Sequence, residues 1–258
     1  MIRKIKRALG IDFSLKAAMR NPSIYRRQLV MPRMSFRELV HQRLHDGRPA
    51  TVVQIGANDG ETNDPIGELL LRCADRITAA LLVEPQQKAH ARLARRYRDM
   101  AQVQCLKAAI DWTPGQRTLW SIDRARAEAQ IGRKVSDGIA SFSRDHVLDA
   151  LCARSGDLER DEAERLLAPE DVQVKTMRQA LTDAGIDGAL NIVLIDTEGF
   201  DGEVIRMLAD LDLWPEIIQY EHKHLDRDER REIARLLSGH GYRLWADHAD
   251  VWGRRVSG

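Results

Sequence analysis

The stretch TVVQIGANDGETNDP, residues 51–65, decides the fold of this chain. Its first residues are apolar and partly β-branched and stop at Gly56, a pattern typical of a buried strand. Gly56 and Gly60 enclose a polar loop that contains Asn58 and Asp59, and a helical pattern follows. A buried strand, a polar loop and a helix in this order indicate the start of a parallel α/β sheet.

The alternation of strand and helix continues along the chain. Buried strands are predicted at 77–85, 101–110, 189–199 and 215–222, an added strand at 116–123, and a strand or hairpin at 242–256. Helices are predicted at 64–74, 86–100, 177–185, 201–211 and 227–241. We therefore expect a Rossmann-like α/β fold, with a mostly parallel sheet and helices on both faces.

Two segments depart from this alternation: one precedes the predicted domain, which spans residues 50–258, and the other lies within it. Residues 1–49 hold 12 Lys or Arg against 3 Asp or Glu, and predict a basic, helical N-terminal arm. Such an arm either packs as solvated helices or makes peripheral contact with an anionic membrane; we expect no nucleic-acid partner. Residues 124–170 show no apolar strand pattern and predict a helical insertion, or a lid over the molecule that accepts the transferred group.

The composition favours a globular protein of the cytoplasm. The 258 residues are 43% hydrophobic and 31% charged, which is enough for a core. No apolar run approaches the ~18 residues that span a bilayer. The cysteines, at 73, 105 and 152, are too far apart to indicate a disulfide framework or a structural zinc site.

The strand ends carry the functional prediction, because ligands of an open parallel sheet bind beyond the carboxyl ends of its strands. A dinucleotide site has three glycines after the first strand, and this loop has two. Asp59 would repel a pyrophosphate but attract a cationic ligand. Glu84, at the end of the second strand, suits the two hydroxyls of a ribose. S-adenosyl-L-methionine, a nucleoside with a positive charge, therefore fits better than a dinucleotide.

Five motifs in order also resemble the FkbM-type family of S-adenosylmethionine-dependent methyltransferases, over roughly residues 50–245. They are VVQIGANDG (52–60), LLVEP (81–85), VQCLKAAI (103–110), NIVLIDTEGFDGEVI (191–205) and IIQYEH (217–222). The resemblance implies a seven-stranded class I methyltransferase sheet and O-methylation of a sugar, glycan or secondary-metabolite hydroxyl. The chain departs from it at Gln54, where relatives usually have an acid that helps to hold the methionine part of the cofactor. Asp59 or another acid could compensate.

The candidate site residues follow from these motifs. The predicted cofactor-binding residues are Gln54, Gly56, Ala57, Asn58, Asp59, Gly60, Glu84, Ala109, Asp111 and Asp196. The predicted catalytic residues are Asp196, Glu198, Glu221 and His222. We expect His222, ahead of His224, or a nearby carboxylate to act as the base; Glu198 could instead cap the helix that follows it. The cluster of three acids and a histidine also resembles a metal-ligand set, but its spacing is not specific and we expect no required metal.

Two other functions remain open at this point. A nicotinamide-dependent oxidoreductase could use the same sheet, although the missing third glycine and Asp59 argue against it. A non-catalytic binding module is favoured by Gln54 alone. The hydroxyl-bearing acceptor could be a glycan or a small molecule, and the sequence does not indicate an oligomeric state.

Overall fold

The computed structural model of the protein describes residues 34–132, 140–155 and 158–256. Residues 1–33 of the predicted basic arm, and the membrane contact expected of them, lie outside the described residues. Among the helices that are described, none combines the length and the apolar composition that crossing a membrane requires.

Strands and helices alternate as expected. The described strands are β1 (Ala50–Ile55), β2 (Ile77–Val83), β3 (Val103–Leu106), β4 (Ala109–Ile110), β5 (Gly115–Ile122), β6 (Ala140–Ser141), β7 (Leu167–Lys175), β8 (Ile192–Ile195), β9 (Ile217–Glu221), β10 (Tyr242–Ala246) and β11 (Asp250–Arg255). The described helices are α1 (Phe36–Leu44), α2 (Gly67–Arg72), α3 (Gln87–Arg96), α4 (Arg124–Ile131), α5 (Arg144–Ser155), α6 (Arg160–Glu164), α7 (Met177–Asp183), α8 (Asp201–Asp210) and α9 (Arg227–Gly239).

The main sheet has seven strands in the order β3-β2-β1-β8-β9-β11-β10. The neighbours from β3 to β9 are parallel, and β11 is antiparallel to both β9 and β10. The chain runs outward from β1 to β3 on one side and resumes on the other side at β8, so the strand order reverses beside β1. The predicted mostly parallel, seven-stranded sheet is confirmed.

Helices cover both faces of this sheet, because β1 is apolar on both sides. Val53 and Ile55 pack in one core cluster with residues of α7, α8 and α9. Val52 packs in a second cluster with residues of α1, α2 and α3. Strands buried on both faces read as continuous apolar runs rather than as an alternation, which is the pattern that the sequence showed.

Helix α1 belongs to this core although it lies within the predicted arm. It begins with a capping box between Ser35 and Glu38. Near its end, the buried Arg43 pairs with Glu216 through two hydrogen bonds, Nε to Oε2 at 2.9 Å and Nη2 to Oε1 at 3.2 Å. Phe36 and Leu39 are buried on the sheet. The described end of the arm is therefore anchored to the main sheet.

A second sheet, in the order β4-β7-β5-β6, lies in the insertion subdomain, which we define as the described residues of 111–175 together with β4. The predicted added strand at 116–123 is β5 of this sheet, and the predicted strand at 101–110 divides between β3 and β4. The predicted insertion at 124–170 contains helices α4, α5 and α6, but also β6 and the start of β7. Its β7 was missed because it buries only Val172 and Val174 well and has no continuous apolar run.

Candidate active site

A cavity of about 560 Å³ opens between the carboxyl edge of the main sheet and the insertion subdomain. It lies beside β1, where the strand order reverses, and this is the usual ligand position in an open α/β sheet. Among its lining residues, the strand-end loops contribute Gly56, Asn58, Glu84, Asp196, Glu198 and His224. The insertion subdomain contributes Arg117, Leu119, Ala140, Ser141, Phe142, Ser143 and His146. The volume suits a ligand of nucleoside size or larger.

Glu84 is a buried carboxylate at the end of β2 that opens on this cavity. Its Oε2 accepts the N–H of Asn58 and its Oε1 the N–H of Gln86, each at 2.9 Å. Burial outweighs these two bonds and raises the pKa of Glu84 to about 7. A carboxylate has about four lone-pair directions, so both oxygens can still accept a hydrogen bond from a ligand hydroxyl.

Close packing requires glycine at both Gly56 and Gly60 of the first loop. Gly56 has φ +83°, and a Cβ there would lie 1.8 Å from the carbonyl oxygen of Asp196. Glycine therefore allows the ends of β1 and β8 to approach closely. Gly60 lies outside the cavity lining, and a Cβ there would meet Leu93 and Tyr97 of the α3 region at 2.8 and 2.9 Å. The loop between them is tied to β2, because Ala57, which is buried, donates its N–H to the carbonyl of Val83.

Gln54 and Asp59 point away from the cavity lining. Asp59 accepts the N–H groups of Glu61 and Thr62 at 3.0 and 2.8 Å, and these bonds, against the effect of burial, lower its pKa. Gln54 is buried and donates from Nε2 to Asp64 Oδ2 at 3.3 Å. An acid at position 54 would face the Asp64 carboxylate at this distance. The amide removes that repulsion and donates a hydrogen bond to Asp64 instead.

The helix after this loop starts later than the sequence predicted, because Asp64 closes a turn in front of it. The sequence placed the helix N-terminus at Asp64 and Pro65, but α2 begins at Gly67. Asp64 Oδ1 accepts the N–H groups of Ile66 and Gly67, both at 2.8 Å, so it closes the turn before the helix.

Another part of the cavity lining combines apolar side chains with the guanidinium of Arg117. Ala109 lines it, as expected, together with Phe142 of the insertion subdomain. Asp111 lies outside the lining: its Oδ1 accepts the N–H of Trp112 and its Oδ2 pairs with Arg117. The guanidinium of Arg117 lies 3.9 Å from the ring centroid of Phe142 and lines the cavity. Asp111 therefore positions Arg117 rather than facing the cavity itself.

At the other end of the cavity, Asp196, Glu198 and His224 come together beside Glu221. Asp196 is exposed and lines the cavity, although protein atoms crowd around its carboxyl group. Burial, followed by the charges of Glu221 and Glu198, raises the pKa of Asp196 to about 7. His224 Nε2 lies 3.0 Å from Glu198 Oε2 and 3.4 Å from Glu221 Oε2. This end of the cavity therefore carries concentrated negative charge next to an imidazole.

Glu198 has a left-handed backbone conformation, with φ +53°. This conformation is uncommon for a residue with a long side chain and costs on the order of 1–3 kcal/mol. Glu198 does not start helix α8, whose N-cap is Phe200, so the expected alternative of a helix cap is not what the structure shows.

Asp201, which the sequence did not single out, ties the loops after β8 and β9 together. Its fully buried carboxylate accepts from the N–H of Thr197 at 3.1 Å, from its hydroxyl at 2.7 Å and from the N–H of Glu221 at 2.8 Å. Burial, assisted by the charge of Asp196, outweighs these bonds and raises the pKa of Asp201 to about 8.

His222 lies outside the cavity, and this placement argues against its expected role as base. It is fully buried, and its Nε2 lies 3.1 Å from the carbonyl oxygen of Asp247. His222 and His224 both follow β9, and the sequence does not show which of the two side chains faces the cavity. In the structure, His224 lines the cavity. His146, on α5, approaches it edge-on with ring centroids 5.7 Å apart. Sequence reasoning missed His146 and Arg117, because both belong to the insertion subdomain and neither lies at the carboxyl end of a predicted strand of the main sheet.

This sheet order, with its single antiparallel strand and a cavity at the switch point that combines Glu84 after β2 with the Gly56 loop after β1, defines the class I methyltransferase fold. The model of the methyltransferase FkbM domain family matches residues 54–244. The chain belongs to this family, as the five sequence motifs predicted.

Solved structures with similar folds include methyltransferase FkbM from Methylobacillus flagellatus KT, at 10% identity and a TM-score of 0.47, over 92% of this chain and 59% of that one. This chain thus spans less than two thirds of that protein's length. The Methanococcus jannaschii fibrillarin pre-rRNA processing protein is similar at 9% identity and a TM-score of 0.37, over 81% of this chain and 67% of that one. No curated protein matches the chain.

Proposed function

We propose that this chain transfers the methyl group of S-adenosyl-L-methionine to a hydroxyl oxygen of a glycan or small-molecule acceptor. The observation that carries the proposal is Glu84, a buried carboxylate at the switch point of the sheet that opens on the cavity. Its two oxygens, each steadied by one backbone N–H, suit two neighbouring ribose hydroxyls. When bound, S-adenosyl-L-methionine supplies an electrophilic methyl group on a positively charged sulfur.

The remaining lining residues fit the other parts of such a cofactor. Ala109 and Phe142 offer an apolar wall for a purine ring. Asn58, whose left-handed backbone with φ +48° is well tolerated by asparagine, places a polar side chain on the first loop. The negative charge at Asp196 favours a cationic ligand. Gln54, Asp59 and Gly60, which were predicted to bind the cofactor, lie outside the cavity lining.

Asp196 is the proposed proton acceptor. It is the carboxylate at the end of β8 that is open to the cavity, whereas His222 is enclosed by the protein. We place the acceptor hydroxyl between Asp196 and the insertion subdomain, where holding the two reacting centres in line supplies the main part of the acceleration. Ser143 and His146, the latter in edge-on contact with His224, line this end and limit the entry of water.

Calorimetric titration of the full chain with S-adenosyl-L-methionine tests the cofactor assignment. We expect saturable binding that Glu84→Ala reduces by at least tenfold, about 1.4 kcal/mol. Glu232→Ala, which removes an exposed carboxylate on α9, is the matched control and should leave binding unchanged. If the folded protein does not bind, if Glu84→Ala binds equally well, or if NAD binds in preference, the proposal is wrong.

Mass spectrometry of the small-molecule and glycan pools, with and without the active protein, then identifies the acceptor by the mass of one added CH₂. Methyl transfer to nitrogen or carbon in place of oxygen would refute the O-methylation part of the proposal. We further propose the cytoplasm as the location, supported by the three widely spaced cysteines, all of which are free thiols.

A further inference from the structure

We propose that Glu198, Glu221 and His224 bind one divalent metal ion at the acceptor end of the cavity. Each of the three residues offers one ligand atom, and these atoms all lie within 4.8 Å of one another. Two carboxylates and one imidazole are ligands that suit Mn²⁺ or Zn²⁺. Glu221 is held at the end of β9, and Glu198 and His224 lie on the loops that follow β8 and β9.

The distances between these atoms match the edges of a coordination shell. Metal–ligand bonds of about 2.1 Å place adjacent ligand atoms about 3.0 Å apart at a right angle and about 3.4 Å apart at a tetrahedral angle. His224 Nε2 lies 3.0 Å from Glu198 Oε2 and 3.4 Å from Glu221 Oε2. Two of the three distances in the cluster are thus those of neighbouring ligands on one ion, and the third pair of ligand atoms lies within 4.8 Å.

The hydrogen bonding of Glu221 gives a second, independent reason. Only 8% of its side chain is exposed, and its Oε2 has no hydrogen-bond partner among the described residues. Lys223 pairs with the other oxygen, Oε1, and so leaves Oε2 directed at the cluster. A buried carboxylate oxygen is normally satisfied. The His224 Nε2 atom likewise makes no hydrogen bond of acceptable geometry, although two carboxylate oxygens are near it.

The local charge is also suited to a cation. Asp196 and Asp250 both lie close enough to interact electrostatically with Glu221, and Lys223 is the lysine that offsets this group of acids. The side chains of Glu198 and His224 are each 19% exposed and line the cavity. Open coordination positions of the ion would thus face the cavity.

This orientation gives the metal a role, which rests on the proposed function. An ion at this position would bind the acceptor hydroxyl and make its proton more acidic, next to Asp196. An acceptor with two neighbouring oxygen atoms could bind the ion through both. Metal binding itself does not depend on methyl transfer and can be measured without any cofactor.

The test is Mn²⁺ binding to the full chain after removal of metals with a chelator. We expect one Mn²⁺ per chain, with an electron spin echo signal from one imidazole nitrogen, and metal-dependent thermal stabilisation. Glu221→Gln and His224→Gln should each weaken binding by more than the roughly 10- to 100-fold that loss of an outer partner costs. Glu232→Gln and His240→Gln, which remove an exposed carboxylate and a surface imidazole, are the matched controls and should bind Mn²⁺ normally.

The outcomes separate this proposal from the cofactor assignment. No Mn²⁺ binding by the folded wild-type chain, a signal without imidazole nitrogen, or normal binding by both ligand variants would overturn the metal site. The nitrogen signal needs only the wild-type chain, so poor folding of a variant does not prevent a decision. Mn²⁺ binding without S-adenosyl-L-methionine binding would refute the proposed function and support the metal site. Binding of S-adenosyl-L-methionine without binding of Mn²⁺ would refute the metal site and support the proposed cofactor.

Discussion

Replacement of Glu84 by glutamine tests whether this buried carboxylate is held in its neutral form. Burial raises the pKa of Glu84 from its ordinary value of 4.5 to about 7. At about 1.4 kcal/mol per pH unit, this difference corresponds to about 3 kcal/mol. Between these two values the folded protein keeps a proton that the unfolded chain has released. The contribution of Glu84 to stability is therefore complete below pH 4.5 and is lost as the pH rises through 7.

Glutamine at position 84 does not titrate, so it removes this dependence. Its amide oxygen can accept one of the two backbone N–H groups, but its NH₂ group would face the other. The unsatisfied N–H costs about 1–3 kcal/mol at every pH. We expect the wild-type chain to be more stable than Glu84→Gln near pH 4.5. By pH 8 this advantage should shrink by about 3 kcal/mol and vanish or change sign.

The assay is urea unfolding followed by circular dichroism from pH 4.5 to 8. Glu232→Gln is the matched control, because hydrogen bonding to Arg206 lowers the pKa of this exposed carboxyl and it does not titrate in this window. A difference between wild type and Glu84→Gln that stays constant within about 0.5 kcal/mol would refute the reasoning. It would mean that the backbone N–H groups outweigh burial and that Glu84 is ionised throughout.

Three further changes test the sheet edge, the helix anchor and the cavity. Gly56→Ala should destabilise the fold by more than about 3 kcal/mol, because its Cβ would collide with the Asp196 carbonyl, whereas Gly188→Ala, with open space around it, should change stability by less than about 1 kcal/mol; equal effects in thermal unfolding would contradict this. Arg43→Met removes the buried partner of a carboxylate and should cost about 2–4 kcal/mol in urea unfolding, and a loss below 1 kcal/mol would show that α1 is held by apolar contacts alone. His146→Ala should raise the KM for the acceptor at least severalfold and leave S-adenosyl-L-methionine affinity unchanged, and a loss confined to cofactor affinity would place the acceptor elsewhere.

The strand ends were the predictable part of the site. Carboxyl ends of parallel strands meet at one edge, so residues as distant in sequence as Gly56, Glu84 and Asp196 could be brought together from the strand pattern alone. The apolar runs before them are long and bounded by Gly or polar residues. All three residues line the cavity.

The remainder depends on contacts that the strand pattern does not contain. Strand β7 buries only two valines and pairs with β5, which is distant in sequence. Neither feature produces an apolar run from which a strand could be predicted. The choice between His222 and His224 depends on how a loop turns after Glu221. The role of Asp64 depends on an amide at position 54 that the family pattern did not predict. Side-chain direction in loops is set by such tertiary contacts.

The pairing of β4 with β7 makes the insertion subdomain an exchangeable module. Its two ends are neighbours in one ladder, with Ala109 opposite Val174 and Ile110 opposite Lys175. A segment whose ends are already held side by side can change in length at a small entropic cost, since doubling a loop adds only about 0.6 kcal/mol. Over evolution, or in the laboratory, the wall of the cavity could thus be replaced to admit a different acceptor while the main sheet keeps Glu84 and Asp196 in place.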